Sequence, residues 1–265
     1  MGFYLPMAAM FVFSFWKSAG LWMEPGFSLA AYQTIFFQQG SQITGALRLG
    51  VTTALAAAIV AFPVAYFLAF RASEYSRIVV LSLFTVPFLV NPLTKVLMWI
   101  PILGRNSRLV EALAQIGVLE SQQTVLLYGP AGPVLGLMAS VVPFVVFTSW
   151  LSMTMLERSL AAAAADLGAG PFEVVKDVIV PLSVSGIAIG AMFVFAKAIS
   201  SPLYASVLGG PMSNSLGLMI NRAYDLLAVP QVSALAVLAL VLPVAGLFTV
   251  AWYSDLDEMF DASER

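Results

Sequence analysis

Residues 161–200, AAAAADLGAGPFEVVKDVIVPLSVSGIAIGAMFVFAKAIS, change their preferred solvent part-way along. From Leu182 the segment belongs to an apolar run that reaches residue 206. That run exceeds the about 20 residues a helix needs to cross a bilayer. Upstream, the alanines at 161–165 have the highest helix propensity, and Gly168, Gly170 and Pro171 end that helix abruptly. Phe172, Val175, Val178 and Ile179 then recur at helical spacing, with Glu173, Lys176 and Asp177 on the other face. The pattern predicts two short helices with a sharp bend, too polar to enter lipid and too small to bury a core of their own. Pro181 marks the expected return to the bilayer.

Working outward, the 265 residues are 60% hydrophobic and 10% charged. Soluble domains run at roughly 45–50% apolar and about 25% charged, so this chain has too few polar groups to cover a soluble globule. Apolar runs at 1–16, 46–70, 78–100, 132–154, 182–206 and 231–253 make six candidate spans. The fold class expected is all-α integral membrane, a single transmembrane domain over 1–265 with six transmembrane helices. Its loop at 155–181 lies between the fourth and fifth. The third run, VVLSLFTVPFLVNPLTKVLMWI, carries two prolines and is expected to be kinked and buried in protein, where neighbours satisfy the freed carbonyls. Residues 17–45 read as an amphipathic interfacial linker, and 101–131 as a surface segment with a short helix ending near Gly117. The first run has no basic region before it and no Ala-x-Ala-like site before Glu24, which favours a short span over a signal peptide.

The chain has no cysteine and no histidine. Disulfides, the usual zinc and haem ligands and any Cys/His or Ser/His/Asp nucleophile are therefore excluded. No GxxxxGK[ST] sequence is present, so ATP hydrolysis, if used, belongs to another chain. The small negative net charge and the lack of a basic cluster argue against nucleic acid. The chain is expected to be non-catalytic, with no metal or cofactor of its own.

Orientation does not follow from the basic residues. Six spans place Arg71, Arg77, Arg158, Lys176 and Arg265 on one side and Lys17, Arg48, Arg105, Arg108 and Arg222 on the other. The count is even, and only the RASEYSR turn at 71–77 leans toward the cytoplasm.

The segment ADLGAGPFEVVKDVIVPLSVSGIAIGA resembles the EAA loop of permease subunits of binding-protein-dependent ABC importers. The Asp-Leu-Gly-Ala at 166–169, Val-Pro-Phe at 86–88 with Asn91 after it, and Leu-Gly-Gly-Pro at 208–211 are similar to the spermidine/putrescine type. The resemblance covers nearly the whole chain. It implies a coupling element docking into a partner ATPase, formed by Ala162, Ala163, Ala164, Asp166, Gly168, Gly170, Pro171, Val178 and Pro181. The family's glutamate position is Ala162 here, and the leucine before the proline is Val180; Glu157, Asp166 or Glu173 are stand-ins for the missing carboxylate. The resemblance also implies a bacterial inner-membrane location with the loop cytoplasmic. The implied partners are an ABC ATPase dimer that binds ATP and Mg, a second and different permease chain, and a periplasmic solute-binding protein.

For a solute pathway, the residues expected are Asn91, Lys95, Trp99, Phe195, Lys197, Ser200, Ser201 and Tyr204. All fourteen acids fall outside the six runs, whereas Lys95 and Lys197 fall inside them. A lysine in a span costs about 2.5–3.5 kcal/mol on insertion scales, so it faces a cavity, a partner or an interface. Two cations without an intramembrane acid suit an anionic or zwitterionic solute, while the family resemblance implies a polyamine or related amino compound. The competing function classes are an ATPase-independent secondary transporter or channel, for which no ionisable relay is evident, and a membrane scaffold whose loop is a docking site alone.

Overall fold

The computed structural model describes residues 4–19, 22–105, 107–117, 126–156, 160, 163–164, 166–210 and 213–253. Helices dominate, joined by one small hairpin in which β1 (Lys17–Ala19) pairs antiparallel with β2 (Trp22–Glu24). In chain order the helices are α1 (Tyr4–Phe13), α2 (Ala30–Gln33, widening into a π turn to Gln38), α3 (Gly40–Arg71), α4 (Glu74–Leu89), α5 (Pro92–Leu103) and α6 (Arg108–Gln115). They continue with α7 (Ala131–Thr154), α8 (Pro171–Ser200), α9 (Pro202–Leu208), α10 (Leu216–Asp225) and α11 (Val229–Tyr253).

Four helices, α3, α7, α8 and α11, are long and apolar enough to cross a membrane; α4 with α5 makes a fifth span if the bent pair is counted as one. Among the described residues four or five spans are seen where six were expected. The first run is helical over Tyr4–Phe13. Ten residues rise about 15 Å, half of a hydrocarbon core of about 30 Å. The third run breaks by 101° between Leu89 and Pro92. The cause is local: Pro92 drives the preceding Asn91 to φ −56°, ψ 133°, which no helix can continue through. The expectation that this run is buried also fails for its first half, since α4 has no buried residue in the chain. The fifth run ends early for the same reason as the third, with Ser201 extended ahead of Pro202.

By internal packing the chain divides into two units. One comprises residues 1–53, 90–137 and 195–243. Its larger apolar core gathers Ile35, Ile43, Ile199, Leu216, Met219 and Leu235. A second cluster joins Leu49, Val96, Leu103, Leu137, Ala198, Tyr204 and Leu208. Glycines set the closest approaches: a Cβ on Gly50 would lie 2.6–2.8 Å from Ile199 and Phe195, and one on Gly217 would overlap the Ser200 carbonyl.

The other unit comprises residues 54–89, 138–194 and 244–265. Ala65, Ala69, Met153 and Ile179 form its core, with Phe62, Trp150, Val174 and Val175 packed around them. Here α7 and α8 meet backbone to backbone. Gly186 faces Thr148 and Ser152, and Gly190 faces Thr148 and Val145. This is the small-xxx-small arrangement by which helices approach in lipid, where apolar burial alone gives no drive to associate. The Arg77 side chain donates to the Leu68 carbonyl at 3.2 Å, fastening the start of α4 to the end of α3.

Candidate coupling loop and solute pathway

The loop between α7 and α8 is built around one backbone conformation. Leu167 donates to the Ala163 carbonyl and Ala169 to the Ala164 carbonyl, both at 3.1 Å, while Gly168 takes φ +95°. The six-residue closure from Ala169 back to Ala164 across a left-handed glycine is a Schellman ending. Three residues later a new helix starts. Gly170 is its N-cap, Pro171 stands at the first helical position, and the Gly170 amide donates to Oε2 of Glu173 at 2.8 Å. Of the three carboxylates expected to replace the family glutamate, Glu173 is thus engaged in capping and Asp166 stands exposed, while Glu157 and Ala162 itself lie outside the described residues.

Two apolar side chains project from this knuckle. Leu167 is 90% exposed and Phe172 76% exposed. Phe172 was expected on the apolar face with Val175 and Ile179; instead that face begins at Val174, and Ile179 is buried while Val178 is half-buried. The loop therefore separates into a foot packed on its unit and an exposed tip.

Pro181, expected to mark the return to the bilayer, lies inside a continuous helix. α8 runs unbroken from Pro171 to Ser200 and passes through a π turn at Val175–Ile179 immediately before the proline. A proline interferes with the carbonyl four residues back, and a wide turn moves that carbonyl aside. The foot and the span consequently belong to one continuous helix.

The pathway residues lie in the unit of residues 1–53, 90–137 and 195–243. Asn91 caps α5 through Oδ1, which accepts the Leu93 amide at 2.8 Å. Removing it in Asn91→Ala is expected to cost about 0.5–2 kcal/mol, read as a lower thermal midpoint of the purified chain, with Asn91→Ser retaining most of the stability. Trp99 packs against the cluster that holds Val96 and Ala198, and Tyr204 is 5% exposed within it. Phe195 belongs to the other apolar core and touches Gly50. Lys197 and Ser200 are exposed. The Ser201 carbonyl accepts the Ser215 hydroxyl at 2.8 Å, and that hydroxyl in turn accepts the Leu218 amide, so Ser201 anchors the start of α10. Trp99 and Tyr204 share one apolar cluster, whereas Phe195 is packed against the other.

Sequence reasoning missed a largely apolar cavity of about 620 Å³ in the same unit, whose wall includes Leu49, Val134 and Leu135 and the polar side chains of Arg48, Thr52 and Asn214. Beside it Arg222 donates to Asn214 at 3.3 Å and to Gln42 at 3.5 Å. Arg48 within an otherwise apolar run was the available signal.

No family model matches the chain. The spermidine/putrescine transport system permease protein PotB of Salmonella typhimurium (strain SL1344) is 28% identical over 175 residues, 66% of this chain and 60% of that protein. Over about two thirds of its length the chain is similar in sequence to such ABC transporter permease proteins. A second relative, the inner membrane ABC transporter permease protein YdcU of Escherichia coli (strain K12), is 26% identical over 201 residues, 71% of this chain and 64% of its own length. These matches span less than two thirds of the relatives' length. Among solved structures, a bacterial ABC transporter involved in the import of the acidic polysaccharide alginate has the same fold, with a TM-score of 0.62 at 15% identity over 95% of this chain and 88% of that one.

Proposed function

We propose that this chain is the membrane-spanning permease subunit of an ATP-driven importer, taking a small polar solute from a periplasmic binding protein into the cytoplasm. The observation that carries the reading is the loop before α8. A left-handed glycine and a capped proline fix the angle of a tip that exposes Leu167 and Phe172, and an unbroken helix runs from that tip through the span. Exposed apolar side chains on a rigid, polar loop suit a protein partner, and a continuous rod transmits displacement of the tip to the span. The partner would be an ABC ATPase dimer, which holds the ATP and Mg; the loop would then face the cytoplasm of an inner membrane. Ala163, Ala164, Asp166, Gly168, Gly170, Pro171, Val178 and Pro181 form the coupling element in this reading, with Ala162 at the family's glutamate position.

Helix α4, apolar and without a buried residue, is the surface on which a second permease chain would pack. Resemblance to the polyamine type favours a different chain over a second copy. Co-purification of the chain with its ATPase, and ATP hydrolysis raised by the binding protein in proteoliposomes, test the assignment. Hydrolysis that ignores the binding protein, or uptake that persists without ATP, would overturn it. Ala162→Glu, which restores the family residue, is expected to leave stimulated hydrolysis unchanged or stronger in the same assay.

A further inference from the structure

We infer that the cavity lined by Arg48, Tyr128 and Asn214 receives the anionic group of a small solute, a carboxylate, phosphonate or sulfonate, on the Arg48 guanidinium. The inference rests on the permease reading above and names the class of its substrate.

The cavity walls are held by contacts of their own. The Tyr128 amide donates to the Leu208 carbonyl at 2.8 Å, and Tyr128 is kept at φ +66°, which a side chain of its size rarely adopts. A Cβ on Gly132 would overlap the Leu126 and Leu208 carbonyls, and one on Gly209 would overlap Ser213. Gly45 of α3 lets Asn214 lie against that helix, with Cβ and Nδ2 of Asn214 3.5 Å from the place a Cβ would take. Three stretches distant in sequence thus close around about 620 Å³, a volume within the range of small-molecule sites.

The wall is mostly apolar, and its charge has one sign. Among the described lining residues Arg48 carries a charge and none is Asp or Glu. An arginine on a membrane-spanning helix is retained where it meets a partner, an interface or a water-filled cavity, and Arg48 meets this one. A second guanidinium stands behind the wall: Asn214 accepts from Arg222 at 3.3 Å and Gln42 accepts from it at 3.5 Å. Both acceptors are neutral amides, so they fix Arg222 without cancelling its charge. Arg222 also lines a neighbouring cavity of about 490 Å³ that shares Tyr128 with the first. Ala131, the first residue of the 24-residue α7, is in the wall as well, and the positive end of that helix dipole acts in the same sense.

Carboxylate and phosphonate oxygens accept the paired N–H groups of a guanidinium two at a time, in charge-assisted bonds stronger than neutral ones. An apolar wall screens that attraction less than open water does. A diammonium solute would meet guanidinium charge here and, among the described lining residues, no carboxylate. Because α7 begins at this wall and ends ahead of the coupling loop, the permease reading puts the cavity on the side opposite the ATPase, from which the solute arrives.

Since the chain contains no cysteine, a single reporter thiol reads the charge in the cavity. Ser213→Cys, in the wall beside Asn214, is introduced into the full chain assembled with cysteine-free partner subunits in phosphatidylcholine vesicles. Its modification by a sulfonatoethyl methanethiosulfonate is timed against that by the trimethylammonioethyl analogue, each rate divided by the same reagent's rate with free mercaptoethanol. The anionic reagent is expected to hold an advantage of about tenfold, the lower end of focusing by a charged cleft. Arg48→Gln should remove most of that advantage, and Arg48→Lys should keep it. At least one of succinate, 2-aminoethylphosphonate and taurine should slow the labelling when Arg48 is present and not in Arg48→Gln, whereas putrescine should slow neither. Equal normalised rates with Arg48 present, an advantage that survives Arg48→Gln, or slowing by none of the three anions overturns the inference. Slowing by putrescine, or only by phosphatidylglycerol added to the vesicles, overturns it too, in the second case in favour of a lipid headgroup. The labelling needs no turnover, so its failure is distinguishable from failure of the permease reading, which binding-protein-stimulated hydrolysis tests.

Discussion

Gly168→Val is expected to lower binding-protein-stimulated ATP hydrolysis and uptake together while leaving the chain inserted and folded. Nothing lies within 4 Å of the position a Cβ would take, so the substitution meets no steric obstacle from its surroundings. Its whole cost is conformational: φ is +95°, where an L side chain is strained by about 1–2 kcal/mol and a β-branched one is a genuine outlier. The bend relaxes to avoid that cost, and the Ala169-to-Ala164 closure opens with it. Leu167 and Phe172 then leave the positions in which they are jointly exposed. A penalty of that size carried into docking weakens it about five- to thirtyfold. The foot is untouched, because Val174, Val175 and Ile179 pack downstream of a separately capped helix start. Expression and thermal stability should therefore match the parent while binding-protein-stimulated hydrolysis and uptake fall together by about tenfold. Gly168→Ala should fall in between. Full stimulation in the valine variant would remove the loop from the coupling role.

The spans that were legible in the sequence are those whose signal is sheer apolar length, α7 and α11 above all. α3 begins at Gly40 rather than near residue 46 because its first turn, GSQIT, is polar and gives hydropathy nothing to detect. Proline misled in two directions. At Pro92 and Pro202 it ended helices inside runs that read as continuous, since the residue before it is forced to extended backbone. At Pro181 it was read as a boundary, yet a π turn just upstream absorbs it, and a π turn has no composition by which to be recognised. The two short helices and the bend of the coupling loop were legible from Ala, Gly and Pro, although the exposure of Phe172 was not: helical spacing says which residues share a face and nothing about where the packed foot begins.

The largest loss of stability is expected at the α7–α8 crossing, from Gly186→Leu and Gly190→Leu. At Gly186 an added Cβ would overlap Ser152 and stand 2.8 Å from the Thr148 carbonyl, and at Gly190 it would overlap Oγ1 of Thr148 and approach the Val145 backbone at 3.1 Å. Side chains that could swing away would make this cheap. Thr148 is not one of them, because its hydroxyl donates to the Val145 carbonyl at 3.1 Å and to that of Phe144 at 3.3 Å. The backbone contacts leave the helices no choice but to separate. Overpacking by methylenes in a tight core costs about 1–3 kcal/mol, and a leucine inserted between two backbones lies at the top of that range or above it. In lipid there is no apolar burial term to hold the separated pair together, so the loss appears as failure to assemble rather than a graded shift. Each leucine variant is expected to abolish the monodisperse folded complex in detergent. Gly186→Ala with Ser152→Gly should recover part of it, since the Ser152 overlap is relieved while the Thr148 carbonyl remains at 2.8 Å. Full stability in Gly190→Leu would mean that α7 and α8 do not cross at these glycines.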